Sequence, residues 1–419
     1  MMLALSALLL SSPLLHTGGD VLVVDAAGGG DFTSLQAAID AASPLGGDTI
    51  LVKAGVYDSI RIDGKGMTIA ADVGNIVSVA LGTEILNTPS DQPVQLLRLR
   101  LQGSHEGVAV TEHGLRVDGC AGSVRVENCI LRGSIGFDFT DDVEYGGDGA
   151  RITASSDVAF AACTLLGNDG GMSFSCGVVN GAGHGITVAG QSLVTLHDSS
   201  CVAGDSEHFG CDVVECGGPQ GHGANVIDSR LYASGTSFEG GQGGSECLCS
   251  LVYPGGAGVR AKGATAHVDL LDVTLIGGPS NPCNGPPGLP LELVDGATST
   301  SLPGIARRLS SSSIVRAGSG LTLTFEAPPG EVALLTVSAA PGWRDRIPWQ
   351  YGPALGSGPA WAGAVGIVPA SGSLTRVFTM PTIPLGEDSD VRYLQAAFLA
   401  PGESRLGSPS TVVVLDPQY

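Results

Sequence analysis

From Val94 to Gly277 the chain is written in short bursts of alternating apolar and polar residues, each closed by glycine. One pattern (apolar, any, apolar, any, any, small, any, apolar, any, Gly) occurs six times. It reads VQLLRLRLQG from Val94, VRVENCILRG from Val124 and VAFAACTLLG from Val158. It continues as VTLHDSSCVAG from Val194, LYASGTSFEG from Leu231 and VDLLDVTLIG from Val268. A second burst precedes five of these copies: HGLRVDG at 113, DGARITA at 148, HGITVAG at 184, HGANVID at 222 and AGVRAKG at 257. Apolar residues one and three places after the glycine, with Arg116, Arg151, Thr187, Asn225 or Arg260 between them, predict a half-buried strand. Copies start 30 to 37 residues apart, and none can bury its apolar side alone.

Stacking the copies in register joins their apolar sides into one core, with strands about 4.8 Å apart. The expected fold is all-β, a right-handed parallel β-helix. Equivalent positions become columns. One is Leu99, Cys129, Cys163, Ser199, Thr236 and Val273; the next is Leu101, Leu131, Leu165, Cys201, Phe238 and Leu275. Cys129, Cys163 and Cys201 read as core fillers. Upstream, GGGDFTSLQAAIDAA at 28–42 has a different period. Leu35, Ala38, Ile39 and Ala42 share one helical face, and Thr33 and Gln36 have capping-box spacing. A helix there is expected to cap the first coil, whose strands begin with Ile50/Val52, Ile60/Ile62 and Met67/Ile69.

Composition narrows the partners. A net charge of −21 excludes nucleic acid as the partner, since a polyphosphate needs a basic face. An anionic glycan needs a divalent cation or a local arginine cluster. The apolar run from Met1 to Leu10 reads as a signal peptide over 1–17, without the usual Lys or Arg at its start, and a secreted, extracellular protein is expected. No later run is long and apolar enough for a membrane span. Of ten cysteines, Cys176, Cys211, Cys216, Cys247, Cys249 and Cys283 lie in Gly/Pro/Ser-rich loops and are disulfide candidates. A metal set of His208, Cys211, Cys216 and Cys247 is the alternative.

The stretch GDFTSLQAAIDAA…DTILVKAGVY, residues 30–57, resembles the opening segment of pectin methylesterases and the wider pectin-lyase-like β-helix superfamily. The resemblance covers the cap and first coil closely and the remainder as repeat pattern. It implies the fold and, by analogy, a carbohydrate ligand. RGSIGFDFTDD (132–142) and LGNDGGMSFSCG (166–177) stand where those esterases carry their Gln and two Asp, and neither matches, so an esterase is not expected. IGFDFTDD is also similar to the YGFDPH motif of β-helical uronan C5-epimerases, with Phe139 and Thr140 replacing its Pro and His.

Six prolines between Pro279 and Pro303 suggest a linker, placed at 296–310 after a β-helix over 20–295. Alternating strands over 311–419 predict a small antiparallel β-sandwich, similar to domains appended to secreted bacterial repeat proteins. It holds Trp343, Trp349 and Trp361, which either stack on sugars or fill core and corners.

The residue before the repeat glycine forms a column of His113, Asp148, His184 and His222. Asp148, His184, His222 and Arg151 are the catalytic candidates, because imidazole and carboxylate in a row suit acid–base chemistry. His113, Arg116, Phe137 and Tyr145 are the substrate-binding candidates. Asp138, Asp141, Asp142 and Glu144 offer the oxygen ligands that Ca²⁺ prefers. A turn column whose side chains merely satisfy backbone amides is the competing reading. Two functions stay open. One is a monomeric protein that binds a polysaccharide or cell-surface glycan, or processes it as a lyase or hydrolase. The other is a non-catalytic adhesion protein displaying disulfide-bridged loops.

Overall fold

The computed structural model describes residues 19–104, 111–134, 146–170, 181–206, 220–244, 253–280, 285–344, 350–384 and 386–419. Three parallel sheets wind as a β-helix. The first has ten strands, from Val21–Val24 to Thr298–Leu302. The second has eight, from Gly55–Tyr57 to Thr274–Ile276, and the third has eight, from Ile60–Asp63 to Leu291–Val294. A typical coil runs Val124–Glu127, Ile130–Arg132, Ala150–Thr153, one strand per sheet.

The sequence columns are columns in space. Leu101, Leu131, Leu165, Cys201, Phe238 and Leu275 pair rung to rung. Cys129, Cys163 and Cys201 are buried free thiols in the continuous core. The column from Leu99 to Thr236 has a second duty at the corner between the first and second sheets. There Leu99 N–H donates to Cys129 Sγ (3.3 Å), Cys163 N–H to Ser199 Oγ (3.1 Å) and Ser199 N–H to Thr236 Oγ1 (3.4 Å). The corner turns on one left-handed residue per coil: Arg98, Asn128, Ala162, Asp198, Gly235 and Asp272, with φ between 49° and 63°. Asn, Asp and Gly suit that conformation. Where the third sheet returns to the first, Cys120, Ser155 and Ser192 N–H groups donate to Ser155, Ser192 and Ser229 Oγ, each at 3.1 Å.

The helix spans Leu35–Ala41 and buries Leu35, Ala38 and Ile39 against the first coil. Its N-cap is Ser34, not Thr33. Ser34 is extended and its Oγ accepts from Ala37 N–H at 3.3 Å. Gln36 is thereby freed from capping. Its Oε1 accepts from Arg61 N–H (2.7 Å) and its Nε2 donates to Arg61 O (3.1 Å), tying the cap to the third sheet.

Residues 296–310, expected as linker, hold the last rung of the first sheet, Thr298–Leu302, and a sandwich strand, Arg308–Ser311. Only residues 303–307 separate that rung from the sandwich strand. The sandwich faces a three-stranded antiparallel sheet (Arg308–Ser311, Gly320–Glu326, Ser373–Thr379) against a larger sheet built on Val332–Arg344, Ala354–Ile367, Ser389–Ala400 and Glu403–Leu415. Phe325, Leu321 and Leu323 from one side meet Phe398, Leu335 and Val412 from the other.

The sandwich sits on the outer face of the first sheet. Leu51, Ala70 and Leu97 pack against Ile314, Val413 and Leu415. Glu127 accepts from Thr411 N–H (2.8 Å) and Thr411 Oγ1–H (2.5 Å). Arg125, 2% exposed, makes a two-pronged ion pair with Asp157 at 2.7 and 2.9 Å. Trp343 packs on Tyr232, Leu271 and Leu302, so this tryptophan is interface filling. Trp349 lies outside the described residues.

Candidate functional site

Eight segments connect the second sheet to the third; the first two, 58–59 and 80–82, are tight, and the six from residue 103 onward are long and leave and re-enter the β-helix at one corner. Their necks are glycine. Gly147 N–H donates to Ser134 O, Asn168 N–H to Gly147 O, Gly183 N–H to Asn168 O and Gly204 N–H to Gly183 O, at 2.8 to 3.1 Å. Gly241, Gly256, Gly278 and Gly288 extend the zigzag through Gly221, Gly241, Gly256 and Gly278 carbonyls. A Cβ on Gly147, Gly183, Gly256 or Gly288 would overlap a neighbouring carbonyl oxygen. Much of the chain's glycine is thus spent on a hydrogen-bonded collar.

The His/Asp column stands on the inner side of this collar, two residues before each third-sheet strand. Its members do lie on successive coils, and each side chain accepts the backbone N–H of the next. Asp148 N–H donates to His113 Nδ1 (3.1 Å), His184 N–H to Asp148 Oδ1 (2.8 Å), His222 N–H to His184 Nδ1 (2.8 Å) and Ala257 N–H to His222 Nδ1 (2.9 Å). The His184 and His222 rings stack with centroids 5.1 Å apart. An accepting Nδ1 fixes the neutral tautomer with its proton on Nε2. The Asn225 amide lies 3.2 Å from His184 Nε2, and its oxygen turned towards that N–H completes the bond. Burial pulls the His113 pKa down to about 4 against the nearby Asp148 carboxylate, and that of His222 to about 2. His184 is lowered too, by burial and by the charges of Arg151 and Arg260.

Beside the ladder runs the outward column of the third sheet: Arg61, Glu84, Arg116, Arg151, Thr187, Asn225, Arg260 and Glu292. Its ends are neutralised. Arg116 pairs with Glu84 (3.0 Å) and Asp118 (2.8 Å), and Arg260 with Glu292 (3.3 Å). Its middle is open. Arg151 is exposed and has no carboxylate partner among the described residues; its Nη1 lies 3.4 Å from His113 Nε2. Thr187, next along the column, buries an Oγ1 that has no partner among the described residues.

Of the expected site residues, His113, Asp148, His184, His222, Arg116 and Arg151 thus share one face. Phe137, Asp138, Asp141, Asp142, Glu144 and Tyr145 fall outside the described residues, as do all six disulfide candidates. Among the described residues no cluster of three or more His, Cys, Asp or Glu is placed to hold a metal. Sequence reasoning passed over Asp169 and Asp205. They form a second amide ladder on the outgoing necks, Asp205 N–H to Asp169 Oδ1 (2.9 Å) and Gln242 N–H to Asp205 Oδ1 (2.6 Å). Their signal was the polar residues after two of the repeat glycines, Asn168–Asp169 after Gly167 and Asp205 after Gly204.

Fold and site define a parallel β-helix protein with a β-sandwich laid along one face. No protein-family model matches the chain, and no curated protein does. Among solved structures, a superoxide reductase (neelaredoxin) from Ignicoccus hospitalis is similar at 11% identity, covering 26% of this chain and 80% of that one. Its TM-score is 0.16, too slight a likeness to bear on fold or chemistry.

Proposed function

We propose that this is an extracellular β-helix protein of the pectin-lyase-like kind that binds a polysaccharide along the third sheet. The observation that carries the reading is the open centre of the outward column. Arg151, without a carboxylate partner among the described residues, stands beside the hydroxyl of Thr187 and near the amide of Asn225, flanked by ion-paired ends and by the necks of six loops. A guanidinium binds a sugar carboxylate with two parallel hydrogen bonds, and neighbouring hydroxyl and amide groups suit sugar hydroxyls. Rungs about 4.8 Å apart repeat these contacts along an extended chain.

The ladder favours binding over turnover. Each Nδ1 of His113, His184 and His222, and Oδ1 of Asp148, is occupied by a backbone amide. A general base needs a free lone pair facing the substrate. The same occupancy supports a second reading, a scaffold that displays loops without binding a glycan on its face. The test is titration of a panel of neutral, uronic and sulfated glycans, with and without Ca²⁺, against wild type and Arg151→Gln/Thr187→Val. Loss of binding in a variant that still folds is the expected result. Binding equal to wild type removes this site, and no binding by wild type favours the scaffold.

A further inference from the structure

Residues 306–316 run along the corner between the first and second sheets like a strap, and the corner residues clasp it. Asp272 Oδ2 accepts from Ala306 N–H (2.8 Å), Asp198 Oδ1 from Arg308 Nε–H (2.5 Å), and Asn128 Nδ2 reaches Ser313 Oγ (3.5 Å). Beyond them Asp72 meets Arg316 at 3.6 Å. Clasping needs an Asp or Asn in the left-handed position. Three coils lack one: at Gly235 the strap itself lies close, with Ala306 and Arg308 beside the glycine, and at Ala162 and Arg98 a cleft opens under the strap. The cleft lined by Ala162 has about 320 Å³ and that lined by Arg98 about 460 Å³.

The two clefts differ in charge. Beside Ala162 the Arg308 guanidinium is already held by Asp198 and faces Glu326 at 3.9 Å. Beside Arg98, neither Arg98 nor Arg100 has a carboxylate partner among the described residues. Two free guanidiniums stand out on a chain of net charge −21. Arg98 also holds φ at 63°, a conformation better served by Asn or Gly. The opposite wall supplies the hydroxyls of Ser311 and Ser312, and the floor the exposed aliphatic side chains of Ile76 and Ile130.

We propose that this cleft is a second binding site, for one anionic sugar residue of a glycan. Arg98 and Arg100 take its carboxylate or sulfate, the serines its hydroxyls, and Ile76 and Ile130 its apolar ring face. The volume fits, since small-ligand pockets run from about 300 to 1,000 Å³. The site is separate from the third sheet and borrows from the proposed function only the ligand class.

The experiment is calorimetric titration of the full chain with a uronic-acid trisaccharide, the uncharged methyl ester of that trisaccharide, and a sulfated disaccharide. Wild type, Arg98→Asn/Arg100→Ser and Arg151→Gln are compared, with thermal melts to show that each folds. Asn suits the left-handed position, so the double variant retains the corner. An acidic sugar is expected to bind wild type in two events, one on the third sheet and one in the cleft; Arg151→Gln removes the first and leaves the cleft event, whereas the double variant weakens the cleft event tenfold or more, the order expected for two charge-assisted contacts. Whether the carboxylated or the sulfated sugar binds identifies the anion. Equal binding by the ester, no binding by wild type, or full retention by the double variant overturns the cleft. Loss of every binding event in Arg151→Gln also overturns it while leaving the third-sheet reading standing.

Discussion

Leu97 on the first sheet and Ala189 on the third both point out of the β-helix, yet Leu97 is fully buried and Ala189 is partly open. The first sheet lost its solvent when the sandwich settled on it, and its polar residues had to find partners there. Thr68 bonds Gln95, Arg125 pairs with Asp157, and Glu127 holds Thr411. Burial still lifts the Glu127 pKa. The third sheet keeps charged residues in contact with solvent at Arg61, Arg116 and Arg151, and Arg151 has no carboxylate partner there among the described residues. A buried ion pair is costly unless every hydrogen bond is made, so the covered face is committed to structure. The uncovered face is where a ligand can be gripped.

Four experiments test this contrast, beginning with the largest effect. Leu97→Asp places an unpaired carboxylate under the sandwich and is expected to cost about 3–5 kcal/mol in denaturant unfolding, whereas Ala189→Asp changes stability by about 0.5 kcal/mol or less. Equal costs would mean that the sandwich does not cover the first sheet.

His222→Ala leaves the buried Ala257 amide without its acceptor, at a cost of about 1–3 kcal/mol. His222→Asn restores an acceptor of the kind Asp148 already supplies and recovers most of that loss. If the two variants unfold at the same denaturant concentration, the ladder bond contributes nothing.

Acid separates the faces further. His113 and His222 in the ladder, and His197 under the sandwich with both ring nitrogens unpartnered, are held neutral by burial, with pKa values near 4, 2 and 3. Each is below the unfolded value of 6.5, so the unfolded chain binds more protons in the interval. The stability they confer is complete above pH 6.5 and is lost as pH falls towards the folded values, at about 1.4 kcal/mol per pH unit for each imidazole. Glu127, shifted upward, works in the opposite sense. Unfolding free energies of His197→Gln measured from pH 6.5 to 5 are expected to fall less steeply than wild type, by about half a proton at pH 6.5 rising to about one at pH 5. An unchanged slope rules out a buried neutral His197.

Arg151→Gln is the smallest change. It is expected to alter stability by about 0.5 kcal/mol or less, as for other exposed positions free of special contacts. A larger loss in thermal melts would show that Arg151 belongs to the scaffold.

Local periodicity carried the fold. The inward columns, from Ile50 to Leu270 in the first sheet, follow from alternation and a repeat of nearly constant length. The cap slipped by one residue because Thr33 and Ser34 are both good caps and only the backbone decides between them. The covering of the first sheet was not legible. Glu127 meets Thr411 across 284 residues, and the strand VRVE carries the same mark as a solvated strand. The ladder was half legible. Its membership followed from the spacing of His113, Asp148, His184 and His222, but whether such atoms face a ligand or an amide depends on where the next coil's N–H points. Clasps such as Asp198 to Arg308 are contacts between distant segments that no repeat encodes.

The glycine collar has a bearing on how such a chain changes over time. Its necks hold one another through main-chain atoms, so what hangs beyond a neck is decoupled from the packing below. A loop bounded by the same two glycines can be exchanged, lengthened or shortened as a cassette. The core sees neither a new side chain nor a new register. Variation is thereby channelled to one edge of the molecule, and new recognition can be tried there while the coils beneath are inherited intact.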